Sequence, residues 1–505
     1  MTIAKMEIRY LFLLTSALMC NSLHAQQEHP TLDASAFLTG PSADTSVEYL
    51  KDYTQYLWGK TMRNSPEWEK ASADMNFQLS TYIGAFSPLV GLQISRENTP
   101  SIYLALEYIL NCGQETIKNT QTIFDYSLRP YAKFNEKSLV PNLEKQYSTI
   151  SSYPSSFAFM GWLTALTFVE ICPDKQNEIL LRGYNLGMSP VIAGYNWDSD
   201  IVSGRLLACA LIPLLHNCSD FNSIIKSARI EYEQKTGIAN IVKTTNSDSS
   251  SFPNENLPDA RRFLPEPPGL ESVLFSYDLN QHILSSRKRA TNEGKIATAD
   301  VDVSSEYLAK IFSSAFGKTI SSMETPQLYN LISRVNQTSE PTYNAVKEKY
   351  MRISPYALLN QKTSYEPDEE SYKAKGSYPS AHSAEGWLVA MVLSEINSES
   401  AEELFARAYQ YGQSRVITGY NWQSDVEAGR LVASTIYAYL HACNDFVTMM
   451  DSAKKEFNES TGIREEIVSK SNQENSYYKL DGTKVEGVPS RPGIYIHGNK
   501  KIAVK

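Results

Sequence analysis

Beyond its first two dozen positions the sequence has no run of about eighteen apolar residues, no excess of basic charge, no cysteine or histidine spacing suited to a metal, and few polar–apolar alternations. Each absence excludes something. Without a long apolar run, no membrane span is expected in the mature chain. A formal net charge of −9 leaves no electrostatic footprint for nucleic acid, and the one basic cluster, Arg287-Lys288-Arg289, reads as a solvated helix face. Of the six cysteines, five follow the N-terminal leader: Cys112, Cys172, Cys209, Cys218 and Cys443. An odd set without ligand spacing predicts buried thiols, with at most one disulfide near Cys209 and Cys218. No metal and no other cofactor is expected. Sparse period-two alternation argues against a sheet-based core.

What is present is enough for two or three well-packed domains: 505 residues, 42% of them hydrophobic and 20% charged. The chain opens with Lys5 and Arg9, an apolar run from Leu11 to Met19, and then SLHAQQ. That order predicts a secretory signal cleaved after Ala25, residues 1–25, and an exported protein that is periplasmic, cell-surface or secreted. Cys20 follows ALM, a poor lipoprotein site.

The sequence repeats itself. GYNWDSD at 194–200 returns as GYNWQSD at 419–425, and SSYPSSFAFMGW at 151–162 returns as GSYPSAHSAEGW at 376–387. AFSPLVGLQISRENTPSIYLAL from Ala85 matches IFSSAFGKTISSMETPQLYNLI from Ile311, and LLHNCSDF matches YLHACNDF. A duplicated unit of roughly 205 residues is far longer than a solenoid repeat, so two homologous domains are expected, at 26–243 and 263–465. The segment 244–262 between them, rich in Ser, Asn and Pro, reads as a linker.

Within each unit the signals are helical. SAEELFARAYQYG places Ser400 and Glu403 at capping-box spacing, with Gly412 as a stop and Gly187 as its counterpart in the first copy. WLVAMVLSEI and WQSDVEAGRLVASTIYAYLH read as two further helices, and the fold class expected is all-α, two tandem helical bundles. Residues 466–505 depart from the repeat. Their Asp-Gly and Gly-Asn turn signals between runs such as GIYI and KIAV predict a short β-type tail.

Chemistry-bearing residues of the second copy cluster at KEKYMRISP (Lys347, Ser354), YPSAHS (Ser380, His382) and SRVITGYNWQSD (Ser414, Arg415, Asn421, Asp425). Lysine, arginine, a hydroxyl and free amides at a helix start are what a tetrahedral oxyanion requires, and a histidine there is placed to protonate a leaving oxygen.

These motifs resemble the triple signature of the type 2 phosphatidic acid phosphatase superfamily, shared with vanadium haloperoxidases. FLPEPP, FSSAFG, GSYPSAHS and GQSRVITGYNWQSDVEA look like the class A bacterial non-specific acid phosphatases in particular. The resemblance covers about 263–465 well and about 35–240 more weakly. It implies a helical phosphatase fold and a phosphomonoester-binding site in which Lys347, Ser380 and Arg415 hold phosphate, His382 protonates the leaving group and Asp425 orients the nucleophile. Two positions depart from the pattern: Ser354 stands for an arginine, and Asn421 stands for the nucleophilic histidine. An amide nitrogen with a delocalised lone pair forms no phosphoenzyme, so weak activity or none is expected. The first copy keeps Arg129, Ser155, Ser189 and Asp200 but has Thr122, Phe157, Pro190 and Asn196 where the pattern needs Lys, His, Arg and His, and is read as structural.

His216 and His441, at one repeat position, are read as hydrogen-bonded packing residues. The tail resembles the terminal sorting segments of Bacteroidetes proteins, which implies surface or extracellular delivery. The expected partners are phosphate or a phosphomonoester and, within the chain, the other domain; the family resemblance also allows a homo-oligomer. An active phosphatase with a modified mechanism, water attacking directly, and a non-catalytic interaction module are the alternatives.

Overall fold

The structure is a computed structural model that describes residues 30, 32–238 and 250–471 and four strands between 477 and 504. The expected signal peptide, the last five residues of the expected first domain (239–243) and the first part of the expected linker (244–249) lie outside the described residues.

Ten helices make the body relevant to the site. In the N-terminal half these are α1 (Pro100–Ile123), α2 (Ser156–Ile171), α3 (Gln176–Ile192), α4 (Asp198–His216) and α5 (Ser219–Thr236). Their counterparts, 225 or 226 residues on, are α6 (Pro326–Tyr350), α7 (Ala381–Ile396), α8 (Ala401–Thr418), α9 (Gln423–His441) and α10 (Asn444–Ser471).

The central helix of each half is α2 or α7. SFAFMGWLTALTFVEI has no polar face, and a helix apolar all round must be surrounded; α2 is buried along nearly its whole length, and α7 likewise. Each starts on a serine cap: Ser155 Oγ accepts from Ala158 N and Ser380 Oγ from Ser383 N, both at 3.3 Å. One continuous hydrophobic core runs through both halves. Across the join, Trp162 Nε1 donates to Ser434 Oγ at 3.1 Å and Arg229 Nη2 to the His441 carbonyl at 3.0 Å.

Two expectations about helix ends need correction. Gly187 and Gly412 do not stop their helices, which run on to Ile192 and Thr418. The glycines serve close packing instead: a Cβ on Gly187 would lie 2.9 Å from Arg205 Nη2, and one on Gly412 would lie 3.0 Å from Ser383 Oγ. The true stop of α8 is Gly419, in the left-handed region at φ +92°. Ser400 does precede α8, but its side chain caps no amide; a 3-10 turn over Ser398–Ser400 leads into the helix, and Ser400 Oγ accepts from Asn397 Nδ2 at 2.8 Å.

Gly429 on α9 is also closely packed: a Cβ there would meet the Ser380 carbonyl at 2.4 Å. Gly429→Ala should therefore destabilise the protein by about 1–3 kcal/mol in denaturant unfolding, because neither backbone can yield without moving the start of α7.

No disulfide joins the five cysteines, all of which are thiols, so the bridge considered near Cys209 and Cys218 is absent. Helix α4 is long and apolar enough to cross a membrane by length and composition, and 83% of its apolar window is buried inside the bundle. At the C-terminus, Tyr477–Lys479, Lys484–Val485, Gly493–His497 and Lys500–Val504 (β1 to β4) form an antiparallel sheet in the order β2-β1-β3-β4. Helix α10 continues through Gly462, unlike α5, which ends at Gly237 with φ +71°.

Candidate active site

Four chain segments converge on one small pocket. Lys347 sits in the last turn of α6, Ser354 leads into a short helix (Pro355–Leu358), His382 lies in the first turn of α7, and Arg415 in the last turn of α8. Asn421 follows in the loop before α9. The pocket has a volume of about 140 Å3, and Tyr343, Tyr372 and Tyr420 add aromatic walls to it.

Its polar groups are buried and incompletely matched. Arg415 is only 2% exposed; its Nε donates to Asn421 Oδ1 at 3.2 Å, its guanidinium stacks 4.2 Å from the Tyr420 ring centroid, and Nη1 has no hydrogen-bond partner among the described residues. Ser377 Oγ is in the same condition. Lys347 Nζ donates to the Gly376 carbonyl at 2.8 Å, and burial lowers its pKa to about 8. His382 Nε2 lies 3.0 Å from the Val301 carbonyl and so carries the proton. Burial, then the Arg415 and Lys347 charges, hold its pKa well below the usual histidine range, so the ring is neutral.

Asn421 is a strut. Its Nδ2 donates to the Ser377 carbonyl at 2.7 Å while Oδ1 accepts from Arg415, so one amide joins the approach to α7 with the end of α8. Ser380 and Asp425 stand behind the pocket. The Ser380 hydroxyl is used as the α7 cap and reaches Asn421 Oδ1 at 3.4 Å. Asp425 Oδ2 accepts from Trp422 N at 2.8 Å, and Oδ1 is held at 2.6 Å by Arg352, which also grips Asp278 at 2.7 Å. Ser414 donates to Asp300 Oδ2 at 2.7 Å and belongs to the framework.

Sequence reasoning missed Arg352 and Glu385. Nothing in MRISP distinguishes Arg352 from a surface residue. Glu385 did leave a signal: an acid one turn after His382 in a mostly apolar helix.

The N-terminal half has the same scaffold with different contents. Asn196 Nδ2 donates to the Ser152 carbonyl at 2.7 Å, as Asn421 does to Ser377, but also to Asp200 Oδ2 at 3.1 Å. Arg129 donates to the carbonyls of Tyr147, Tyr195 and Ser151 within its own half. Phe157 packs with Tyr131, Tyr147 and Tyr195 in an aromatic cluster where the other half has its pocket.

Two other features lie outside this pocket. A cavity of about 940 Å3 lies between the halves; Arg182 pairs there with Asp74 and Lys51 with Asp198, and its lining includes none of Lys347, His382, Arg415, Asn421 and Asp425. Glu170, His216 and His441 lie within reach of one metal ion. The two rings are stacked at 3.6 Å and 13°, so their in-plane lone pairs point side by side and not at a common centre, and each Nε2 bonds a glutamate at 2.9 Å.

Residues 334–448, which contain Lys347, His382, Arg415, Asn421 and Asp425, match the model of the PAP2 superfamily. Over 215 residues the chain is 39% identical to a non-specific acid phosphatase of Providencia stuartii, covering 87% of that protein and 42% of this chain. The chain belongs to the acid phosphatase family. A non-specific acid phosphatase of Salmonella typhimurium is 36% identical over 214 residues, 84% of its length and 42% of this chain, and an acid phosphatase of Zymomonas mobilis is 33% identical over 199 residues, 75% of its length and 39% of this chain. More than half of this acid phosphatase-family chain thus lies outside each of these alignments.

Proposed function

We propose that the protein is an exported member of the acid phosphatase family whose second half binds phosphate or a phosphomonoester and turns it over weakly or not at all. One observation carries the reading: the buried, unpartnered Nη1 of Arg415 beside Lys347, in a pocket sized for a single oxyanion. Asn421, at the nucleophile's position in the family pattern, supplies no nucleophile, and a neutral His382 has no spare proton for a leaving group.

The 225-residue correspondence of helices and hydrogen bonds supports a tandem duplication, with the first half as a structural partner to the second. Their common core supports an intramolecular pairing of the kind that family members make between subunits. The charged-then-apolar N-terminus supports export, and the β-type tail is consistent with a sorting segment; deletion of residues 466–505 should leave the folded body intact and alter its delivery.

Titration of the full chain with inorganic phosphate at mildly acid pH tests the binding reading. Arg415→Ala should weaken phosphate by at least about tenfold, the cost of removing a charge-assisted contact. No measurable phosphate binding would favour an interaction module instead.

A further inference from the structure

We propose that Glu385 makes this pocket acid-selective: as a carboxylic acid it donates a hydrogen bond from Oε2 to a bound tetrahedral oxyanion, and as a carboxylate it repels that oxyanion. The inference rests on the anion-binding reading above and adds to it the residue that sets when the anion is accepted.

The geometry is specific to Glu385. Three residues after His382, it shares the pocket-facing side of α7 and lines the same 140 Å3 space. Its Oε1 accepts from Tyr343 Oη at 2.7 Å, which uses that phenol's only proton. Its Oε2 is buried without a partner among the described residues, as is Arg415 Nη1. A buried carboxylate oxygen without a partner, on a residue that lines the same small volume as Lys347 and Arg415, is costly as an acceptor and useful as a donor.

The surrounding charges set the sense of the titration. From α6, Lys347 and Glu340 face Glu385 along with Tyr343; from α8, Arg415 and Tyr411; from the 372–375 segment, Tyr372 and Lys375; from α7 itself, His382. Burial raises the carboxyl to about 7, with the Tyr343 bond and the Lys347 and Arg415 charges opposing and Glu340 assisting. Below that value Oε2 carries a proton and the pocket keeps its full positive charge. Above it, the carboxylate neutralises part of that charge and confronts the anion. Lys347, lowered to about 8, stays largely cationic up to neutrality, and His382 stays neutral throughout. Between pH 5.5 and 7.5, Glu385 is therefore the pocket group whose charge changes most.

Sulfate is the suitable probe, because its own charge is constant across this range. Wild-type affinity for sulfate should fall by about fourfold from pH 5.5 to 7.5 as Glu385 loses its proton, whereas Glu385→Gln, neutral and still able to donate, should hold its affinity within about 1.5-fold. Calorimetry in two buffers of different ionisation enthalpy gives a second readout on the wild-type protein alone: at pH 7, about half a proton should be taken up per sulfate bound. Zero uptake, or an equal pH slope in Glu385→Gln, overturns the proposal while leaving anion binding standing. Failure of wild type to bind sulfate or phosphate at any pH overturns both readings together.

Discussion

The double substitution Asn421→His with Ser354→Arg should raise hydrolysis of a simple phosphomonoester at least about a hundredfold above wild type, since it restores a nucleophile and a phosphate-binding cation together. The structure explains why both changes are needed. Asn421 Nδ2 donates to the Ser377 carbonyl, and an imidazole placed there can donate its Nδ1–H to the same carbonyl and present Nε2 to phosphorus. In the first half, Arg129 holds the Ser151 carbonyl; the equivalent carbonyl in the second half, that of Gly376, is held by Lys347. An arginine at 354 can take back that carbonyl and release the lysine for phosphate. Asn196→His should change nothing, because Phe157 and its aromatic neighbours fill the equivalent space and Pro190 supplies no cation. No gain from the double variant would mean that the second pocket cannot seat a reacting phosphoester, and would favour the interaction module.

Glu395→Ala should destabilise the protein by about 3–5 kcal/mol in denaturant unfolding, as expected when one member of a buried charged network is removed. Glu395 accepts from Tyr437 Oη, His441 Nε2 at 2.9 Å and Lys454 Nζ at 2.8 Å, and His441 stacks on His216, which bonds Glu170. The two halves therefore meet at a pair of imidazoles, each with its own carboxylate. Burial alone would raise the Glu395 pKa, but its interactions with His441 and Lys454 outweigh it and hold the carboxyl well below the usual glutamate range, while burial and His216 lower the pKa of His441 itself. A lowered folded-state pKa contributes stability that is fully present above the unfolded value and is lost as pH falls. The difference between wild type and Glu395→Ala should thus be largest above about pH 5 and shrink in stronger acid. On His216, burial disfavours charge while Glu170 overrides it and raises the pKa, so its contribution is present below the usual histidine range and is lost as pH rises. A pH-independent difference would contradict the network.

The helical class was legible because runs such as WLVAMVLSEI and WQSDVEAGRLVASTIYAYLH lack period-two alternation, and the two histidines in apolar helices are buried and hydrogen-bonded. What remained hidden depended on three-dimensional neighbours. Gly187 and Gly412 read as stops from local propensity, yet their surroundings are other helices. Ser400 fits the capping pattern, yet its hydroxyl is drawn back to Asn397. Ser380, Lys347 and Asp425 are named by motif, but only the fold reveals that the first is consumed as a helix cap, the second leans on a carbonyl, and the third is gripped by Arg352. Arg352 and Glu385 answer to no spacing rule, because their partners Asp278, Asp425 and Tyr343 lie 40 or more residues away in sequence. Asn421 was conspicuous as a substitution, while its role as the strut between Ser377 and Arg415 could come only from the structure.

The most direct test of a binding pocket with disabled chemistry is the steady-state turnover of p-nitrophenyl phosphate by the full-length wild-type protein at pH 5 to 6. The account predicts a rate within about tenfold of that of Asn421→Ala, since neither side chain can attack phosphorus. Turnover on the order of 10 per second, typical of a competent enzyme, that disappears in His382→Ala would contradict it and establish a working phosphatase in which water attacks directly.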